Sequence, residues 1–501
     1  MSVTKRQQIS IGEKLGYSLG DVAANLVFQV MMVFQLKFYT DVFGLEGAVA
    51  GSILLLVCLL GAFIDPFVGI LCDRTDTRWG KYRPWLLWTA LPFSVFYVLA
   101  FYNPGIEEKG LVAVYATVSY LLLIIMYALS SIPYSSLGGV MTSDIKERTS
   151  INTYRFIAVS IAQFVVQGLT LPLVNKFGGE TGEVQQGWVT TIALFAAVSF
   201  VFLLITFFST RERILPPPSQ KSSMRKDVVN TVSNISWRSL FVLVLFIFIT
   251  ISMWGASMNY YFQYHVDQKT MFDFLGTLGL TDVGQEKGGL WFSILNGFNL
   301  VAHDSSDAYS IGFSLFNMVG AVIQLFGIIF LSRFLANKFG KKSTFIVCLF
   351  LTSVFTAMFY LPSPVDISFI FGLCILKSLA YAPTVPLLWA MMGDVADHVE
   401  YISKRRATGF CFSGISFALK AGLGLGGAFA GTILTCFGYV SGQNETQSAV
   451  ALQGIRLVSS LIPAFLFGIG VVALLFYPIT KTYNRKMQAE LNIRRRNNGV
   501  K

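Results

Sequence analysis

Long apolar runs separated by short polar turns repeat along the whole chain. Runs near 15–38, 47–72, 84–102, 111–137, 152–175 and 188–209 form a first set, and runs near 239–264, 309–333, 343–361, 366–392, 407–437 and 453–478 form a second. A bilayer-spanning helix needs about 20 apolar residues, so each run is long enough to cross. The pattern predicts an all-α polytopic membrane protein with twelve transmembrane helices in two six-helix bundles. Thr210-Arg211-Glu212-Arg213, Pro216-Pro217-Pro218, Lys221, Arg225 and Lys226 lie between the sets and read as a linker, because prolines and charges break the helical run. The expected plan is a first bundle at 1–209, a linker at 210–238, a second bundle at 239–481 and a basic tail at 482–501. The segment at about 265–308 is too long for a simple turn. Its aromatic content predicts an ordered cap at the outer mouth.

Charge sets the orientation. Lys and Arg gather in the turns at 74–83, 146–148, 333–342 and 404–406 and in the tail at 485–496, while the opposite turns carry scattered cations. Basic short loops stay cytoplasmic, so both termini are expected inside. The net charge of +11 on a chain that is 54% hydrophobic and 13% charged is therefore topological. It suits a membrane surface and excludes nucleic acid as the expected partner. The amino end lacks the short apolar core of a cleaved signal. The six cysteines and three histidines show no metal-ligand spacing, and no cofactor, metal site or enzymatic constellation is expected.

Polar residues inside the apolar runs are the candidates for chemistry, since a charge at bilayer depth costs several kcal/mol and is usually retained for function. Ser18, Asp21, Asn25 and Gln29 recur at helical spacing on one face of the first helix. Their carboxylate and amides offer the acceptors and donors that sugar hydroxyls require. Asp65 lies in the second helix, just before Pro66. The fifth helix aligns Asn152, Arg155, Gln163, Gln167 and Thr170, with snorkelling to the headgroups as the alternative for Arg155. The second half buries Lys377 and Lys420, which need anionic partners. Lys377 is expected either to pair with a carboxylate or to read an acidic sugar.

Asp65-Pro66, Gly69, Asp73-Arg74-Thr75 and Thr77-Arg78-Trp79-Gly80-Lys81-Tyr82-Arg83-Pro84-Trp85 together resemble the signature of the glycoside-pentoside-hexuronide cation symporter family. The resemblance implies a major facilitator fold and import of a glycoside with a cation by alternating access in a bacterial inner membrane. The match between LCDRTDTRWGKYR and LANKFGKK after equivalent helices fits such a fold, built from two structural copies. Asp21 in GYSLGD matches a sugar-binding aspartate of the family, Arg155 in TYRF a family arginine, and Lys420 in FALKAG a family lysine near the sugar and cation sites. Tyr134 falls in the family's Ile-Pro-aromatic stretch, where Ser131 replaces a second sugar-binding aspartate of the melibiose permease. That departure puts melibiose itself in doubt.

The substrate set is therefore Asp21, Asn25, Gln29, Ser131, Tyr134, Arg155, Gln163, Lys377 and Lys420, and the cation-coupling residue is Asp65. Asp73, Arg74 and Arg78, with Asp394, Asp397, Glu400 and Arg405 of a loop at 393–409, are expected to gate the inner mouth. A solvated topogenic loop is the alternative. The family's sodium-coupled member has D-x-x-N-D where this chain has Gly61-Ala62-Phe63-Ile64-Asp65. A lone buried carboxylate can carry one proton, so the expected ion is H+, with Na+ or uniport as alternatives. A lysolipid transporter of the same fold and a non-transporting sugar sensor are the rivals. The protein is expected to be a monomer.

Overall fold

The computed structural model describes residues 9–142, 145–178, 184–213, 229–282, 290–404, 408–441 and 447–497. It is helical almost throughout. The first group of helices is α1 (Ile11–Lys37), α2 (Gly47–Arg74), α3 (Arg83–Ala100), α4 (Lys109–Val140), α5 (Ile145–Gly178) and α6 (Val184–Ser209). α7 (Ile235–Tyr260) is followed by two short helices, α8 (Gln268–Thr277) and α9 (Leu290–Gly297), and then by α10 (Ala308–Phe339) and α11 (Lys341–Met358). α12 (Ile367–Tyr381) and α13 (Thr384–Ser403) form one span interrupted at Ala382-Pro383, and α14 (Thr408–Cys436) is the next. α15 (Ala449–Ser459) and α16 (Leu461–Leu475) form the last span, and α17 (Lys481–Asn497) follows it.

Among the described residues, eleven helical segments are long and apolar enough to cross a membrane. The expected third span, α3, is formed as well. Its 18 residues open on Arg83 and Pro84, which makes it less apolar than the others.

The chain divides into two compact units. Unit 1 comprises residues 1–218, 267–318 and 440–446, and unit 2 the remainder. Helix packing in unit 2 repeats that of unit 1. α1 packs on α5 and α6, and α3 on α4 and α6; likewise α7 packs on α14 and α16, and α11 on α12 and α16. The turns repeat too. Gly80 before α3 and Gly340 before α11 both hold positive φ, at 111° and 86°, where a side chain would be strained. α1 and α7 both end in a π-helical turn, Phe38–Val42 and Tyr261–His265, whose buried tyrosines Tyr39 and Tyr261 donate to the carbonyls of Ala116 and Phe359. These matches give the faint sequence repeat a structural basis.

Close packing replaces hydrophobic exclusion as the glue between membrane helices. In unit 2, Leu240, Leu243, Val244 and Ile247 of α7 meet Met391 and Val395 of α13 and Ile415 and Ala418 of α14. Gly422 and Gly426 let α14 ride directly on the α7 backbone, since a Cβ at either position would collide with the carbonyl of Leu245 or Ile249.

The structure departs from the sequence plan in three places. Residues 393–403 are the last turns of α13 rather than a loop, because Val395 and Val399 continue the buried stripe of Met391 and Met392. The tail from Lys481 is a helix, docked by Gln488 Nε2 to Asp397 Oδ2 at 2.7 Å and by Tyr401 Oη to Glu490 Oε2 at 2.9 Å. The insertion belongs to unit 1. Asn299 Nδ2 donates to the Pro172 carbonyl at 3.2 Å, Lys176 donates to the Gly297 carbonyl, and Asn175 Nδ2 reaches Ser310 Oγ at 2.9 Å.

Candidate substrate and coupling site

The first turn of α1 is set locally: Ser10 caps the helix by accepting from the Glu13 amide at 3.2 Å, as an S-x-x-E start predicts. From there a polar seam climbs between α1 and α5 at three levels. At the bottom Lys14 Nζ lies 3.0 Å from Ser150 Oγ and 2.8 Å from Glu147 Oε2. In the middle Arg155 Nε donates to Asp21 Oδ2 at 2.9 Å. At the top Gln167 Nε2 donates to Gln29 Oε1 at 3.1 Å, with both amides buried. Residue numbers rise together on both helices, so α1 and α5 run parallel.

Between the upper two rungs lie Asn25 and Gln163, both half-buried. Asn25 Nδ2 is held by the Asp21 carbonyl at 2.9 Å, which leaves its amide oxygen open to a donor. The Arg155 contact occupies one oxygen of Asp21, and a carboxylate has capacity for several more donors. A ring of hydroxyls could therefore bond to Asp21, Asn25 and Gln163 together.

Arg155 is fixed from a second side. Its guanidinium stands 5.7 Å from the Tyr17 ring and 5.3 Å from the Tyr134 ring, and those two rings stack 4.6 Å apart. Each tyrosine donates to the other's carbonyl, Tyr17 Oη to Tyr134 O at 3.1 Å and Tyr134 Oη to Tyr17 O at 2.9 Å. Tyr134 is 3% exposed. Its hydroxyl is spent inside the protein, so it positions Arg155 where the sequence suggested a direct contact with substrate. Arg155 packs inward on these partners instead of snorkelling. Ser131 is half-buried one turn from Tyr134 on α4.

Asp65 is half-buried on α2, one residue before Pro66. The proline lacks an amide hydrogen, which frees the Ala62 carbonyl from its helical bond and leaves it able to serve as a further ligand oxygen. Tyr127 of α4 lies within electrostatic reach of both Asp21 and Asp65.

In unit 2, Lys377 of α12 is half-buried with its ammonium over the Trp254 indole, 2.8 Å from the ring centroid. No hydrogen bond or ion pair joins it to a described residue. Lys420 is half-buried on α14.

The expected gating residues have local partners. Asp394 Oδ2 pairs with Lys341 Nζ at 2.6 Å, Asp397 holds the tail helix, and Glu400 bonds the Lys404 amide through its backbone carbonyl. Arg74 and Arg78 are exposed, Arg78 lying against its own neighbour Trp79 at 4.6 Å. The Asp73 side chain and Arg405 fall outside the described residues.

Sequence reading missed Glu212, placed in a linker. Its carboxylate accepts from the amides of Lys81, Tyr82 and Arg83 at 3.0, 2.8 and 3.0 Å, which caps α3 across 129 residues. Beside it Glu13 takes a two-pronged pair from Arg213, both bonds at 2.7 Å.

The pattern of the family described as MFS/sugar transport protein matches residues 16–283 and 287–481. The chain belongs to that family. It is 32% identical over 492 residues to the inner membrane symporter YicJ of Escherichia coli (strain K12), covering 97% of this chain and 95% of that one. It is 30% identical over 473 residues to the putative glycoside/cation symporter YagG of the same strain, covering 94% and 93%. The fold resembles that of a bacterial homologue of the human lysosomal transporter Spinster, with a TM-score of 0.61 at 14% identity over 96% of this chain and 97% of that one.

Proposed function

We propose that this protein imports a glycoside together with a cation by alternating access, with both termini cytoplasmic in a bacterial inner membrane. Its work is transport, with no bond made or broken. The observation that carries the reading is the Asp21–Arg155 pair inside the first and fifth spans, with Asn25 and Gln163 beside it and carboxylate capacity to spare. A lysolipid cleft would favour an apolar lining here. Family membership and the likeness to a glycoside/cation symporter support the same reading.

Asp65 is the coupling group in this proposal and the ion is a proton, because the chain supplies one carboxylate where a sodium site needs several oxygens. The test is uptake of radiolabelled glycosides into proteoliposomes. An inward proton gradient should drive accumulation, with little response to sodium. Asp65→Asn should lose concentrative uptake and retain exchange of sugar down its gradient. Sodium-driven uptake at fixed pH would overturn proton coupling, and full accumulation by Asp65→Asn would remove Asp65 from the mechanism.

A further inference from the structure

Where α16 stops at Leu475 the chain turns through Pro478 into α17, and a cavity of about 370 Å³ opens there. The Gly340-Lys341 turn, Asp394 and the first turns of α17 form its walls. Lys341, Lys481 and Arg485 face it against one carboxylate, Asp394. The 2.6 Å pair of Lys341 with Asp394 cancels one of these charges. Lys481 is bonded only to a neutral group, the Asn337 carbonyl, and Arg485 has no hydrogen bond or ion pair with a described residue. The walls therefore keep two uncompensated cations.

Two buried groups on the same walls point to the ligand's own chemistry. The Tyr477 side chain is 1% exposed and its hydroxyl has no hydrogen-bond partner among the described residues. The Asn484 Oδ1 atom is also buried without a partner. A buried polar atom left unsatisfied costs about 1–3 kcal/mol, so such atoms are normally satisfied by something. The hydroxyl can donate to an anionic oxygen, and the amide oxygen can accept from a hydroxyl. Leu475 and Phe476, 59% and 65% exposed, end the last span just before Tyr477, which is where a span that crosses the bilayer would meet lipid headgroups.

We propose that this cavity binds a phosphate group carrying free hydroxyls, the chemistry of a glycerophosphate, presented by an anionic phospholipid or by a soluble phosphate ester. The phosphate sits against Lys481, Arg485 and the Tyr477 hydroxyl, and a ligand hydroxyl donates to Asn484.

The full-length protein, purified and stripped of lipid in detergent, is titrated separately with phosphatidylglycerol, phosphatidylcholine and glycerol 3-phosphate. Bound lipid is read by native mass spectrometry, and soluble ligand by the shift in melting temperature. The expected result is saturable binding of phosphatidylglycerol or of glycerol 3-phosphate, well above phosphatidylcholine, which has no hydroxyl and carries its own cation. Binding should weaken about tenfold or more in Lys481→Gln/Arg485→Gln, and about fivefold in Tyr477→Phe, which removes one hydroxyl and keeps the ring. Phosphatidylglycerol binding alone assigns a lipid, and glycerol 3-phosphate binding assigns a soluble ester. If neither probe binds in a way that Tyr477→Phe weakens, or if the two lipids bind equally and glycerol 3-phosphate does not bind, the proposal is wrong.

Discussion

Replacing Asp21 by Asn keeps the shape of the side chain and changes what each of its ends can do. In the native protein Oδ2 receives Arg155 Nε at 2.9 Å, and Oδ1 retains acceptor capacity for a sugar hydroxyl. In the variant the amide oxygen stays with Arg155 and the other end becomes a donor, so a charged acceptor is lost to the substrate. Hydrogen bonds to charged groups contribute about 1.5–3 kcal/mol, which corresponds to roughly tenfold to a hundredfold weaker binding. Folding should survive. The pair is partly hydrated, with side chains 15% and 28% exposed, and Arg155 keeps its two tyrosine rings. A stability cost of about 1–3 kcal/mol, between the ranges for exposed and buried pairs, is the expectation. The assay is equilibrium binding of a labelled glycoside to purified protein, with a thermal melt as the folding control, for Asp21→Asn, Arg155→Gln and the double variant. Residues that act as one unit give losses that fail to add, by about 1 kcal/mol or more. Unchanged affinity in a folded Asp21→Asn protein would refute the assignment of Asp21, and strict additivity would refute the view that Arg155 acts by holding it.

If the Lys377 ammonium over Trp254 reads a substrate carboxylate, uronides should compete better than their neutral parent sugars, and Lys377→Met should erase that preference while leaving neutral sugars bound. Equal competition in the native protein would make Lys377 an internal charge only. Glu212→Ala removes the acceptor for three successive amides, Lys81, Tyr82 and Arg83, where α3 begins, and should lower stability by about 1–2 kcal/mol. An unchanged thermal melt of that variant would show that the cap carries no weight. Gly426→Leu drives a side chain into the α7 backbone and should cost about 1–3 kcal/mol or prevent stable insertion, visible as a lower melting temperature or lost yield. Normal expression and melting would mean that α14 can move off α7.

The spans were legible because membrane helices announce themselves by length and hydropathy, and all twelve expected runs became helices. Their ends were not. α13 runs on through Asp394, Asp397 and Glu400, whose charges look like loop until Val395 and Val399 are seen buried beneath them. α17 reads as a solvated basic tail because, among the described residues, Met487 and Leu491 alone mark its buried face. α3 is weakened as a membrane signal by Pro84 and by Arg83, whose amide donates to Glu212.

Helical spacing, with the family resemblance for Asp21 and Arg155, picked out Asp21, Asn25, Gln29, Arg155 and Gln163 as candidates one helix at a time, because a polar residue inside an apolar run is costly. Spacing within one helix carries no information about which face of another it meets. Asp21 with Arg155, and Gln29 with Gln167, are pairings set by the packing of α1 on α5, a contact across 134 and 138 residues. The same limit explains Tyr17 and Tyr134. An aromatic at helical spacing is ordinary core, and only the stacked pair shows that these two rings wall in the guanidinium. A substitution that leaves every charged and amide side chain in place can therefore still weaken the site. Tyr134→Leu keeps the apolar bulk but removes the hydroxyl bond to Tyr17 and the ring beneath Arg155. It leaves the Asp21 carboxylate in place and frees its partner to move, so under the proposed role of Asp21 any loss of substrate binding should run through Arg155.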